Sequence, residues 1–320
     1  MTLTSVETSV AGAEEQAAIQ GRSPLQLAWA RLRHDRVAIA SAIILVLIVL
    51  IALLAPLIAS AVGWGPTQQD RATGTSPEGL PVGPSSAHWF GTDNLGRDIL
   101  VRTVYGARVS LLVGVVATVT ASVVGVIVGT LAGYFGGWVD VALARLMDVV
   151  LSFPFLLFAI ALVSIVGPSL AISVGVIAFF SWASIGRIVR GQTLSIRQKE
   201  YIEAARSLGA GDLRIMVIDV LPNLVAPVIV LASLLMPTAI VFEATLSFLG
   251  LGVVPPTPTW GNMLADSLQF YSVAWWFVAF PGLALLITTL TFNLLGDGVR
   301  DALDPSAERL FSARRKRRRR

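Results

Sequence analysis

The sequence predicts an all-α, polytopic membrane protein with six transmembrane helices. Three observations carry that prediction. Of 320 residues, 55% are hydrophobic and only 14% are charged, against about 25% charged in an ordinary soluble domain. The apolar residues fall in blocks of about the 20 residues a helix needs to cross a bilayer core of roughly 30 Å. None of the blocks has the period-2 alternation of a membrane barrel, and in lipid a helix satisfies its own backbone groups.

Residues 1–36 read as an N-terminal tail, largely disordered over about its first twenty residues. The six-span domain covers 37–300. Its first span is Val37–Val62, with Ile43–Leu54 free of polar residues. Ala59-Ser60-Ala61 resembles a signal-peptidase site, but the apolar stretch far exceeds an h-region of about 7–15 residues, so the span is read as retained. The remaining spans are Val109–Tyr134, Val141–Val166, Ser169–Ile185, Leu224–Leu249 and Val273–Leu295. Three loops between them are long: 63–108, 187–222 and 250–272. Residues 301–320 form a polybasic tail, basic at every position from Arg314 to Arg320. That tail is either solvated or laid on an anionic leaflet, where each basic residue gains on the order of 1 kcal/mol. Nucleic acid is not an expected partner behind a membrane domain.

Lysine and arginine set the orientation. With the N-terminus in the cytoplasm, 20 of the 24 basic residues fall inside, and only Arg71, Arg97, Arg102 and Arg108 fall outside. Both termini and loop 187–222 are therefore expected in the cytoplasm, and loops 63–108 and 250–272 outside.

Several chemistries are excluded. The chain has no cysteine, hence no disulfide or thiolate site. Its two lysines, Lys199 and Lys316, follow no glycine, so there is no Walker A phosphate loop. The two histidines, His34 and His88, fall on opposite sides of the membrane and share no metal or catalytic site. No catalytic residue, cofactor or metal ligand is expected in this chain.

The polar loop carries the strongest local signal, RQKEYIEAARSLGAGDLRIMVIDVLP from Arg197 to Pro222. Lys199, Glu203 and Arg206 lie three or four apart, on one face of a short helix. Ala204, Ala205 and Leu208 make a shallow apolar patch. Gly209 suits a left-handed helix end, Asp212 a cap for a second helix from Leu213, and Pro222 the entry to the fifth span. Such a loop either rests on headgroups or docks a soluble partner whose motion tilts both spans.

Glu203-Ala204-Ala205, Gly209 and Leu221-Pro222 resemble the EAA loop of bacterial ABC importer permeases. Asp219 departs from it, standing where many members carry Ile. A second stretch, Phe90–Leu111 (FGTDNLGRDILVRTVYGARVSL), resembles the dipeptide/oligopeptide permeases, specifically the C-type subunit. Ser152-Phe153-Pro154-Phe155, Leu246–Gly252 and Trp260-Gly261 also fit, and the likeness extends from about Trp29 to Leu310. The resemblance implies a type I ABC importer permease fold. It implies a heterodimer with a B-type permease, two ATPase subunits that hold ATP and magnesium, and an extracytoplasmic substrate-binding protein. It assigns ATPase coupling to Glu203, Ala204, Ala205, Arg206, Leu208, Gly209, Leu221 and Pro222. The implied cargo is di- or oligopeptide, with nickel complexes or glutathione as alternatives. The rival classes are a channel or secondary transporter and a membrane scaffold.

Further residues have readings of their own. Gly91, Thr92, Asp93, Gly96, Arg97, Asp98 and Arg108 form the family signature in the external loop. Asp93 is expected to cap a surface helix, with Arg97, Arg102 and Arg108 facing headgroups or the partner permease. Gly125, Gly129 and Gly133 form a close-packing face, either within the subunit or at the dimer seam. Pro154, Pro227, Pro237 and Pro281 weaken or kink spans. Asp148 pairs locally with Arg145. Glu243 has no basic neighbour in its helix and either faces the pathway or bonds backbone near Ser247. Asn293, Asp297 and Arg300 end the sixth span.

Overall fold

The computed structural model describes residues 29–303. The expected N-terminal disorder and the basic run Arg314–Arg320 lie outside the described residues.

Helix α1 (Arg36–Leu53) starts where the Asp35 carboxylate accepts from the N–H groups of Val37 at 2.9 Å and Ala38 at 3.2 Å. The expected first span is not one helix. It breaks at Leu54, and α2 (Ala55–Val62) follows with Pro56 in its first turn. A proline there gives no N–H to the preceding turn.

α3 (Ile99–Phe135) has 37 residues and begins well before Val109. Asp98 is its N-cap, accepting from Val101 N–H at 2.8 Å. At about 1.5 Å per residue it is roughly 55 Å long, so it overruns the bilayer core. The loop expected over 63–108 therefore ends at Asp98.

The expected third span is broken. α4 (Gly137–Ser152) and α5 (Phe155–Val166) meet at an 82° bend. Pro154 is the cause, because the residue before a proline is pushed out of the helical region. Phe153 accordingly has ψ 133°.

α6 (Leu170–Arg197) is capped by Ser169 and runs on past Ile185. Next come α7 (Glu200–Ser207), α8 (Asp212–Arg214), a π-helical segment (Ile215–Val220) and α9 (Leu221–Phe248). From α8 onward the helix continues into the fifth span, so the expected loop 187–222 supplies turns to the helices on both sides. α10 (Trp260–Ser267) is a short helix in the next loop, closed by a capping box between Thr259 and Asn262. α11 (Trp275–Leu303) continues beyond Leu295, so Asn293, Asp297 and Arg300 lie inside it and do not end it.

The core forms around α3 and α6, the most extensively packed pair. A Cβ on Gly125 would lie 2.8 Å from Ile185 Cβ, and one on Gly133 would lie 2.6 Å from Thr193 Cβ. One on Gly129 would lie 2.5 Å from the Gly186 carbonyl oxygen. The glycine face thus packs within the subunit. Position numbers rise together along both helices, so α3 and α6 run parallel. Parallel neighbours require the chain between them to travel back, and α4 with α5 makes that return. Among the described residues five helices are long and apolar enough to cross a membrane, and the bent α4–α5 pair, counted as one span, makes a sixth.

This gives the bundle two ends. One, the cap end, holds the start of α3 and the loop before it. The other, the loop end, holds α7, α8 and the end of α3. The Arg31 guanidinium donates to the Ala302 carbonyl at 3.3 Å, which joins the start of α1 to the end of α11.

Gly129→Val should destabilise the bundle by at least about 1–3 kcal/mol through overpacking, measured as a lowered unfolding midpoint in detergent. Gly175→Ala should not lower the midpoint, since an added carbon there meets nothing within 4 Å and alanine favours a helix interior over glycine.

Candidate functional site

The loop end is built from two short helices and a turn. α7 ends in a Schellman arrangement. Ala210 N–H donates to Ala205 O at 3.0 Å and Gly209 N–H to Arg206 O at 2.9 Å. Gly209 has φ +81°, a conformation that costs a side-chain-bearing residue roughly 1 kcal/mol or more. The glycine therefore lets the chain reverse between α7 and α8.

α7 is anchored by Ile202, fully buried in the main core beside Ile215. Ala205 is half-buried against the same core. The opposite face is open: Glu203, Ala204, Arg206 and Gly209 are exposed. Leu208 is 88% exposed and Leu213 72%, with Tyr201 also exposed. Leu208 thus projects outward, beyond the shallow patch expected with the two alanines. Leu221 is half-buried and Pro222 exposed at the start of α9.

Asp212 does not cap the second helix. It is the first residue of α8, Gly211 stands at the N-cap with no side-chain bond, and the Asp212 carboxylate accepts from the Tyr134 hydroxyl at 2.7 Å. Arg206 lies over the Tyr134 ring, 5.3 Å from its centroid. Tyr134 and Ile202 belong to no motif. Only the three-residue spacing of Ile202 and Ala205 hinted at an inward face.

The signature residues meet at the cap end. Gly91 has φ +76°, and a Cβ there would lie 2.7 Å from the Trp276 ring. Trp276 Nε1 donates to Thr92 O at 3.2 Å, and the Thr92 hydroxyl donates to Gly74 O at 2.7 Å. Gly96, with φ +72°, lies against the Asp70 carbonyl. Asp93 caps no helix, because its carboxylate is taken by an ion pair. It accepts from Leu95 N–H at 2.8 Å, Arg97 N–H at 3.0 Å and Arg97 Nε at 2.6 Å, and lies 3.2 Å from Arg102 Nε. Arg97 is 5% and Arg102 2% exposed. These two arginines therefore face the protein interior and not headgroups. Arg108 is exposed, over the Tyr105 ring.

Behind this pair lies His88, 1% exposed. Its Nδ1 is 2.9 Å from Asp98 and its Nε2 3.3 Å from Asp70. The Thr73 hydroxyl and N–H, with help from Ala72 N–H and His88, hold the Asp70 carboxyl well below the usual carboxylate range.

The sequence offers two intramembrane acids. Glu243 is fully buried, accepting from Ser110 Oγ at 2.8 Å and Ser247 Oγ at 2.7 Å. Its partners are side-chain hydroxyls, and the one from Ser110 ties α9 to α3. Asp148 lies 3.9 Å from Arg145, as expected, but its nearer partner is Arg187 on α6 at 2.7 Å. Asp140 and Arg190 add a second, two-bonded rung between α4 and α6.

Removing Asp93 would leave the buried Arg102 without its close counter-charge and the buried Arg97 with only the partly exposed Asp266, at 3.7 Å. Asp93→Ala should cost about 3–5 kcal/mol, read as rapid proteolysis of the 63–98 loop, while Arg108→Ala should be close to neutral. Asp70 is ionised more readily folded than unfolded. Its stabilisation is thus fully present above an unfolded value of about 3.9 and lost as pH falls below it. Proteolysis of the same loop should accelerate below about pH 4, and Asp70→Asn should flatten that pH dependence.

Comparison with known proteins places this geometry. Residues 125–309 match the family described as "binding-protein-dependent transport system inner membrane component". Residues 23–77 match the "N-terminal TM domain of oligopeptide transport permease C". The chain is 45% identical over 283 residues to the dipeptide transport system permease protein DppC of Alkalihalophilus pseudofirmus, covering 88% of this chain and 90% of that protein. It is 46% identical over 291 residues to the oligopeptide transport system permease protein OppC of Escherichia coli K12, covering 91% and 94%. It is 42% identical over 286 residues to the glutathione transport system permease protein GsiD of Escherichia coli O6:K15:H31, covering 89% and 92%. Among solved structures, an inward-facing MetNI methionine ABC transporter chain superposes with a TM-score of 0.54. That superposition covers 63% of this chain and 96% of the other, and at 19% identity it speaks to the fold alone. With six helical crossings, a cap built on the Phe90–Leu111 signature and these matches over most of its length, the chain belongs to the binding-protein-dependent inner-membrane permeases, in the C-type dipeptide/oligopeptide branch.

Proposed function

We propose that this chain carries di- or oligopeptides across the membrane as one half of a translocation pathway. A B-type permease supplies the other half. Two ATPase subunits bind ATP and magnesium and dock on α7 and the turn at Gly209, and a substrate-binding protein delivers cargo at the cap end. The chain itself performs no bond chemistry.

The observation that carries the docking assignment is the exposure of Leu208 and Leu213 on a short, charged helical turn between two membrane crossings. An apolar side chain in water loses roughly 1.5–3 kcal/mol relative to burial, so a pair on one rigid turn suits a protein groove. Ile202 pins the opposite face.

Orientation follows from the basic residues. Arg31, Arg33, Arg36, Arg190, Arg197, Lys199, Arg206, Arg214 and Arg300 belong to the loop end, which is therefore assigned to the cytoplasm. At the cap end the count of basic residues overstates the exposed charge. Arg97 and Arg102 are buried and paired, leaving Arg71 and Arg108 on the surface.

The likeness to a glutathione permease supports a second cargo, a small peptide-like thiol. Uptake of labelled dipeptide into cells carrying the complete importer, competed by oligopeptides or by glutathione, separates the two. Peptide competition with no effect of glutathione is the expected result.

Gly209→Trp and Glu203→Arg should leave insertion intact, release the ATPases on purification and abolish uptake. Wild-type uptake with retained ATPases in both variants would sink the docking assignment.

A further inference from the structure

Both arms of the loop turn meet one residue that lies outside the loop. Tyr134, the penultimate residue of α3, is 2% exposed. Its hydroxyl donates to Asp212 at 2.7 Å, and its ring carries the Arg206 guanidinium at 5.3 Å. Arg206 lies in the last turn of α7 and Asp212 opens α8, on opposite sides of Gly209. The phenol thus uses its π-face for the cation and its O–H for the carboxylate. A phenylalanine keeps the first and loses the second.

The turn has two covalent exits, and both differ from this one. Toward α6 the chain passes through Gln198 and Lys199, outside either helix. Toward α9 it passes through six π-helical residues that end one residue before Leu221-Pro222. A π segment is rare and is frequently found at functional sites, and Pro222 supplies no N–H to brace it. The Tyr134 contact is instead short, part-buried and bidirectional. It opens onto a continuous helix that reaches the Asp98 cap, where His88, Asp70 and the Asp93 ion pairs are joined.

We propose that Tyr134 is a positioning residue for energy coupling: it fixes the angle between α7 and α8 and passes displacement of the docked turn into α3. α3 then carries that displacement to the cap. The π segment yields between the turn and α9. This inference rests on the docking assignment above.

The test uses the complete importer in proteoliposomes, reading cargo uptake per ATP hydrolysed and ATPase retained on purification. Tyr134→Phe should retain the ATPases. It should lower uptake per ATP about fivefold, the size expected when one hydrogen bond of typical net strength is lost. Asp212→Ala, at an exposed position, should do the same and guards against a folding defect at Tyr134. The double variant should fall no further than either single, because the pair acts as a unit. A merely structural role would reduce the yield of complex and leave uptake per ATP unchanged. Unchanged uptake per ATP in either single variant, or a double variant that falls by the product of the two, overturns the proposal. Gly209→Trp run in parallel separates the two readings. If it releases the ATPases while Tyr134→Phe couples normally, the docking assignment stands and this inference fails. If it retains ATPases and uptake, both fail.

Discussion

The close approach of α3 and α6 is the constraint on which the rest of the bundle depends. Lipid supplies no hydrophobic drive to bring two helices together, so van der Waals packing of small residues must do it. Gly125, Gly129 and Gly133 leave room for Ile185, Gly186, Val189 and Thr193 where no Cβ would fit. Because the two helices are parallel, the chain between them has to return along the bundle. The break at Phe153-Pro154 is the form that return takes. The same packing carries the end of α3 to the α7–α8 turn and places Tyr134 against Arg206 and Asp212, one on each side of Gly209.

Buried charge is confined to places where it is answered. An ionised group in a low-dielectric interior is costly unless it is paired and hydrogen-bonded. At the cap one carboxylate, Asp93, serves two arginines, and one imidazole, His88, bridges two carboxylates. The latter carboxylate, Asp98, also caps α3. The 63–98 loop is therefore fastened to the first turn of α3. Within the bundle Glu243 takes two hydroxyls, and Asp140 and Asp148 take arginines from α6. The bonds from Ser110, Arg187 and Arg190 join separate helices, so these polar groups act as cross-ties, while Ser247 bonds Glu243 within α9.

The loop end has the opposite character. Its outer face keeps Leu208, Leu213 and Tyr201 in the open, and its inner face is held by Ile202 and Tyr134. A surface of that kind is stiff enough to be pushed and apolar enough to be held. The two ends thus differ: the cap is closed on itself, whereas the turn at Gly209 keeps apolar side chains in the open.

The sequence by itself determined that the chain spans a membrane about six times, as well as the glycine face and the turn at Gly209. Each is written in composition, in a four-residue period, or in the conformational freedom of one residue, all of which are local properties. The family signature was equally legible at Phe90–Leu111. What its charges do was not. Asp93 reads as a helix cap and is an ion-pair centre; Asp98, five residues on, is the cap; Arg97 and Arg102 read as surface charges and are buried. Asp148 pairs with its neighbour Arg145 as spacing suggests, yet its nearer partner is Arg187, 39 residues away. Ser110 and Glu243 are 133 residues apart, and Tyr134 and Asp212 are 78 apart. A single sequence carries no signal for pairings across such separations, because they form only after helices have chosen neighbours. Helix packing is a global property, and it decided which polar groups would be left facing one another.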